Sequence, residues 1–341
     1  MKVITAGPSE NQFASSPRYQ MTEKRIGIIG CGTVTEKSYV PSLKRMEGVK
    51  VDYVYDVNDA NSRKVADLLS AKVEKPEYIF KNTDFTIVAT PPSTHFEIIK
   101  LGLSKGARNI VCEKPFLGNV VQARELIANA SAVGAKLFVA HFRRCYPSVN
   151  LAREISLSGI LGNLKEVLVS EGGRFSWVTK SGYVTKDPYG GVLFDTGSHT
   201  IDMAIFASGL DLINYDVKVH EVTRDKPEPS HEIKSKLSLK SGSADVEFTL
   251  HFSRYGDLAN RIKLVFANGM MELSVAFQNK IRLVANNRPM VLCSEENFHH
   301  GSDCFIYQYY QMFNSIGSDK FDASRFVTLT SVLEQVSSFT D

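Results

Sequence analysis

From Lys24 onward, short apolar runs alternate with stretches whose apolar positions recur every three or four residues. Arg25-Ile26-Gly27-Ile28-Ile29-Gly30 predicts a buried strand, which runs through Cys31-Gly32 into a helical stretch ending near Leu43. Val49 to Tyr55 predicts a second strand, and residues 60–70 a helix. Further strands are predicted at Phe85-Thr86-Ile87-Val88-Ala89, Asn109-Ile110-Val111-Cys112 and Lys136-Leu137-Phe138-Val139-Ala140, with helices over 96–104 and around Leu126. Apolar strands alternating with helices indicate a parallel, doubly wound sheet. Ligands bind such sheets outside the carboxyl ends of the strands, and those ends carry Gly30, Asp56, Thr90 and Lys114.

Beyond about residue 147 the period changes. A helix over 148–158 precedes β-rich runs at 164–175, 213–223, 231–240, 244–253, 260–267, 270–275 and 280–285. Several alternate, as in Ala244-Asp245-Val246-Glu247-Phe248-Thr249-Leu250. Alternation with hairpin-like spacing predicts a large, mostly antiparallel sheet with one covered face. Residues 302–317 and 323–337 predict closing helices, with Phe305, Tyr309, Met312 and Phe313 in the core. Residues 1–23 are polar, with Pro8, Pro17 and clustered serines, and predict a flexible extension. The expected organisation is therefore an extension (1–23), a first domain (24–147) and a second domain (148–341).

One helical stretch interrupts the second region: Gly190-Gly191-Val192-Leu193-Phe194-Asp195-Thr196-Gly197-Ser198-His199-Thr200-Ile201-Asp202. At helical period Asp195, His199 and Asp202 share one face, while Leu193, Phe194, Ile201, Ala204 and Ile205 cover the rest. The polar face is expected to look into a cleft. A carboxylate one turn from an imidazole can orient it and make it more basic, as a proton-transfer group requires. Gly197 weakens the helix, so something is expected to pack against its backbone. The same spacing also fits a solvated Asp/His pair or a metal site. No Cys/His cluster with ligand spacing accompanies it, so no metal is expected.

The glycine turn after the first strand has its own chemistry. Gly30 permits a tight turn, and Gly32 lets the backbone approach a pyrophosphate at the helix start, where Thr33 and Val34 follow. The third small position is Thr35, so the fingerprint is incomplete. Asp56, at the end of the second strand, is placed to hold an adenosine ribose diol and to repel a 2′-phosphate. NAD is therefore expected, with NADP the alternative if Arg63 or Lys64 bends back from the next helix.

The chain has 341 residues, long enough for two domains. Its hydrophobic content of 43% and charged content of 23% are those of a globular protein. A net charge of +3 gives no sign of a nucleic-acid stripe. Five scattered cysteines without CxxC spacing suggest thiols in a reducing compartment, the cytoplasm by default. No apolar run reaches membrane-spanning length, and no membrane partner is expected.

Three motifs stand in order: Gly27-Ile28-Ile29-Gly30-Cys31-Gly32, Glu113-Lys114-Pro115 and Asp195-Thr196-Gly197-Ser198-His199. Together with Ala89-Thr90-Pro91-Pro92-Ser93-Thr94-His95, Arg143-Arg144, Gly159-Ile160-Leu161-Gly162 and Gly190-Gly191-Val192, they resemble the Gfo/Idh/MocA (glucose–fructose oxidoreductase, inositol dehydrogenase, rhizopine catabolism) family from about residue 24 onward. The resemblance implies a Rossmann domain, a C-terminal α+β domain with an open sheet, and a nicotinamide cofactor between them. It implies roles for Lys114, Asp195 and His199 in substrate binding and proton transfer, and a cis bond before Pro115. Expected cofactor contacts are Gly30, Gly32, Thr33, Val34, Asp56, Thr90, Pro91, His95, Glu113 and Lys114. Arg143 and Arg174 are expected to join the catalytic residues around the substrate, and Arg174 or Lys180 could contact a phosphate.

The expected activity is NAD(P)-dependent hydride transfer to or from a secondary hydroxyl or ketone of a sugar, cyclitol or sugar nucleotide, with an activated sugar favoured. Redox-assisted glycoside cleavage and a cofactor-bound sensor are the alternatives. The open sheet is the expected surface for a homodimer or homotetramer.

Overall fold

The computed structural model describes residues 22–174, 182–295, 298 and 301–340. The predicted extension lies almost wholly outside them. The first sheet contains β1 (Lys24–Ile29), β2 (Val49–Tyr55), β3 (Lys72–Val73), β4 (Phe85–Val88), β5 (Asn109–Glu113) and β6 (Lys136–Ala140). All pairings in it are parallel, in the order β3-β2-β1-β4-β5-β6. Strand order reverses between β1 and β4, which opens a crevice at their carboxyl ends. Helices Asp59–Leu69, His95–Ser104 and Val120–Ala132 fall where the apolar period placed them. The pattern did not announce the two exposed residues of β3 or the short helix Pro76–Asn82, which begins on its proline.

The second sheet has eight strands: β7 (Leu164–Gly172), β8 (Asp216–Arg224), β9 (Glu232–Ser241), β10 (Ala244–Ser253), β11 (Arg261–Phe266), β12 (Gly269–Ser274), β13 (Lys280–Ala285) and β14 (Arg288–Cys293). Their order is β14-β13-β12-β11-β7-β10-β9-β8. Only β7 and β10 pair in parallel; the rest are antiparallel, as the alternation predicted. The parallel pair matters because Glu171 lies opposite Phe252, so both strands deliver their carboxyl ends to one place. On β10, Val246, Phe248, Leu250 and Phe252 are buried. The helices Pro147–Leu157 and Ser198–Ala207 pack on the sheet and on each other. β14 was missed. It is an almost wholly exposed edge strand carrying Pro289, so it shows no alternating burial.

The closing helices, Gly301–Asn314 and Val327–Ser338, return to the first sheet. Phe313 meets Phe85 with ring centroids 4.7 Å apart. Glu334 accepts hydrogen bonds from Asn119 Nδ2 (2.7 Å) and Val120 N (3.0 Å), at the start of helix Val120–Ala132. Tyr309, Met312 and Phe313 are core, as expected, whereas Phe305 is only partly buried and lines a cleft. No helix among the described residues is long and apolar enough to cross a membrane.

Candidate active site

The predicted helix around His199 is not uniform. Leu193–Gly197 forms a π turn, and the α-helix proper is Ser198–Ala207. The wider turn shifts Asp195 out of α-helical phase with His199 and Asp202, which lie three residues apart on the regular helix. Asp202 is fully buried and does not line the cleft; Arg144 grips it through Nε (2.9 Å) and Nη2 (2.5 Å). His199 and Asp195 line the cleft. Gly197 behaves as expected: a Cβ there would stand 3.2 Å from the Phe252 ring.

Asp195 does not hold His199, contrary to expectation. Its Oδ1 accepts from Lys114 Nζ (3.0 Å) and the Tyr183 hydroxyl (3.2 Å), and its Oδ2 from Arg254 Nη2 (2.9 Å). Burial opposes its ionisation, but Lys114, Arg254 and Tyr183 outweigh that and hold the carboxyl below the usual range. His199 Nδ1 is buried without a hydrogen-bond partner. Burial first, then the charges of Lys114 and Arg143, push the His199 imidazole well below its ordinary pKa. It is a neutral imidazole, not one made more basic by Asp195.

Lys114 follows β5, and the Lys114-Pro115 bond is cis, as the resemblance implied. Glu113 is buried under it and accepts from Tyr39 Oη (2.5 Å) and Lys114 N (2.9 Å). Burial raises the Glu113 carboxyl, although Tyr39 and Lys114 pull it down.

The glycine loop opens into the same cleft. Gly30 has φ +101°, and a Cβ there would meet Ala89 O at 2.4 Å. Gly32, by contrast, has no heavy atom within 4 Å of where its Cβ would lie, which leaves room at the helix start for a pyrophosphate. Thr35 is accommodated by a π turn, Thr35–Tyr39, and its hydroxyl donates back to Gly30 O (2.6 Å). Asp56 accepts from Cys31 N (2.7 Å) and Asn58 N (2.8 Å), which fixes its carboxylate at the groove wall. The cleft has a volume of about 1260 Å³ and runs from Asp56 past Gly32 and Lys114 to His199. That exceeds the roughly 300–1,000 Å³ of a pocket for one small molecule.

Residues 24–141 match the Gfo/Idh/MocA model, described as an oxidoreductase family with an NAD-binding Rossmann fold. Over this segment the chain is similar to the Gfo/Idh/MocA oxidoreductases. The uncharacterized oxidoreductase YdgJ of Escherichia coli is 29% identical over 194 residues, 54% of each chain. Trans-1,2-dihydrobenzene-1,2-diol dehydrogenase of Mus musculus is 26% identical over 234 residues, 67% of each chain. An inositol dehydrogenase homolog of Azotobacter vinelandii, solved with NADH and myo-inositol, has a TM-score of 0.75 at 16% identity, covering 94% of this chain and 97% of that one. The match to YdgJ spans about half of that relative's length.

Against this family's expected site, Gly30, Gly32, Thr33, Val34, Asp56, Thr90, Pro91, Glu113 and Lys114 all line the cleft. His95 does not. It is fully buried behind the loops, with Nε2 2.9 Å from Thr90 O and Nδ1 3.1 Å from Pro115 O and Phe116 O. It ties the two strand-end loops together and does not face the cofactor groove. Arg143 lines the cleft but is paired with Glu171 through both terminal nitrogens (2.9 and 3.1 Å). Arg174 is exposed and does not line the cleft, and Lys180 lies outside the described residues. Three site residues went unpredicted: Glu171, Tyr183 and Arg254. Glu171 had a usable signal, as a carboxylate two residues beyond the apolar run Val167-Leu168-Val169 at the end of its strand. Tyr183 is placed by the segment after it, where Asp187 accepts from the Ser93 hydroxyl (2.6 Å) and so spans to the first domain.

His95, His141 and His199 are all buried with lowered pKa, His141 to about 4. The unfolded chain protonates these histidines near their ordinary value of 6.5. Below that pH the unfolded state binds more protons, so stability falls as pH drops, by up to about 1.4 kcal/mol per pH unit for each histidine. The raised Glu113 carboxyl acts in the opposite sense but is one group against three. Thermal denaturation is expected to show a clear fall in Tm between about pH 7 and about pH 5; a flat profile would contradict the neutral, buried histidines.

Proposed function

We propose that this protein is an NAD-dependent dehydrogenase or ketoreductase acting on a secondary hydroxyl, or the corresponding ketone, of a sugar or cyclitol. One observation supports it most: Lys114 and His199 converge where the nucleotide groove meets the end of the β7/β10 pair. The nicotinamide, when bound, supplies the redox chemistry. Lys114, fixed by Asp195, donates a hydrogen bond to the reacting oxygen. Neutral His199 takes the hydroxyl proton in oxidation and returns it in reduction. Phe142 and Phe305 wall this end of the cleft and exclude water. The mouse relative named for a ring diol and the structural neighbour solved with myo-inositol support a ring polyol. Arg174 does not line the cleft, and we favour an unphosphorylated ring over an activated sugar. The proposal includes a cytoplasmic location and assembly as a homodimer or homotetramer through the second sheet. A screen of sugars, cyclitols and sugar nucleotides, following absorbance of the reduced cofactor, tests it; no turnover with any of them would refute it.

NAD is expected to bind at least about tenfold more tightly than NADP, a difference of about 1.4 kcal/mol. Asp56 would face the extra phosphate, and the two cations that could offset it are engaged. Arg63 pairs with Asp59 (2.6 Å), and Lys64 with Glu36 (2.6 Å). Titrating both cofactors decides the matter, and Asp56→Ser should narrow the gap.

A further inference from the structure

Beneath the cleft, three ring nitrogens lack hydrogen-bond partners: His199 Nδ1 and both nitrogens of His141. Buried polar atoms are rarely left so, and each case calls for a reason. His141 immediately follows β6 and is fully buried. Its ring meets that of His199 edge to face, with centroids 5.7 Å apart and planes at 75°. On the other side its Nδ1 stands 3.3 Å from Asp202 Oδ2, close but not aligned for a formed bond. Phe326 stacks on the ring at 5.0 Å, which restrains its rotation about χ2. Asp202 is held by three hydrogen bonds from Arg144.

A neutral imidazole has one donor and one acceptor, and the bond made by one nitrogen decides which of them carries the proton. To accept a substrate proton at Nε2, His199 must keep its own proton on Nδ1. Asp195 cannot hold it there, being bound to Lys114, Tyr183 and Arg254. We propose that His141 is the positioning residue for His199: its Nε2 accepts a hydrogen bond from His199 Nδ1–H, while its own Nδ1–H donates to Asp202. The inference rests on the proton-transfer role proposed for His199. The cations facing the pair are Lys114 and Arg143 beside His199, and Arg144 beside His141. Asp202 is the anion behind them. When the hydroxyl proton arrives on His199 Nε2, no second proton moves; the new charge is offset through His141 by Asp202.

The test starts on the full-length protein without substrate. Nitrogen–proton correlation NMR on isotope-labelled histidine should find both His199 and His141 with the proton on Nδ1, assigned by the signals lost in His199→Gln and His141→Gln. A His199 proton on Nε2 overturns the proposal, whatever the substrate proves to be. His141→Phe keeps the stack on Phe326 and removes both nitrogens, so it should move the His199 proton to Nε2. With myo-inositol and NAD as the probe, it should lower kcat by about 10–100-fold with little change in KM. His141→Gln, whose amide oxygen can accept from His199, should recover part of that loss. An unchanged kcat in folded His141→Phe also overturns the proposal. Failure of the wild type to turn over myo-inositol counts against that substrate, and the tautomer measurement still decides the role of His141.

Discussion

Lys114→Met and His199→Ala are each expected to lower turnover by about 10²–10⁴-fold, the usual cost of removing a proton-transfer group. Cofactor affinity should change little. The groove residues Gly30, Gly32 and Asp56 lie on β1, β2 and the loops after them, away from the altered side chains. Lys114→Met also leaves Asp195 with two of its donors, Arg254 and Tyr183, so the π turn retains its anchors. Asp195→Ala is a poorer test, because it strips both Lys114 and Arg254 of a counter-ion and mixes catalytic with structural loss. Turnover and cofactor affinity measured in parallel check the expectation. Near-normal turnover in both variants would remove this cleft from the chemistry, and a loss confined to affinity would make the two residues structural.

What the sequence disclosed follows from what is local in it. The parallel strands, the glycine turn and Asp56 are short-range features, because an apolar run or a positive φ is set by neighbouring residues. The hairpins of the second sheet were equally legible, since alternating positions such as Val246, Phe248 and Leu250 show directly which face is covered. The π turn at Leu193–Gly197 was not legible. Periodicity assumes a constant phase, and one wide turn shifts Asp195 relative to His199 and Asp202; the burial of Asp202 is set by its pairing with Arg144. Partners brought together by tertiary folding were also hidden. Arg254 lies 59 residues from Asp195, and Arg144 lies 58 from Asp202. Spacing alone pairs His199 with Asp195, whose partners in the fold are Lys114, Tyr183 and Arg254. The family resemblance supplied the names of the cleft residues without supplying their pairings, which is why His95 was placed on the cofactor and not behind it.

Arg144→Met is expected to destabilise the protein by about 3–5 kcal/mol, a large part of a typical folding free energy of about 5–15 kcal/mol. Arg144 is fully buried, with its guanidinium over the Phe326 ring (3.9 Å) and near that of Phe206 (4.8 Å). Its nitrogens reach Asp202, Lys320 O (2.5 Å) and Asp211 Oδ2 (3.5 Å). Removing it leaves Asp202 as an uncompensated charge in a dry site, whereas Asp211 keeps Arg153 at 2.6 Å. Arg144→Lys should not rescue the loss, because a single ammonium cannot reproduce a planar fork held between two rings. Arg144→Met combined with Asp202→Leu should recover much of it, since removing both charges removes the desolvation penalty of the survivor. The denaturant midpoint should follow this order at constant m. If the double variant is no more stable than Arg144→Met, the cost lies in lost packing and not in a stranded charge. The same double variant separates stability from chemistry: it regains the fold but lacks the carboxylate behind His141, so its turnover should stay low even where its midpoint recovers.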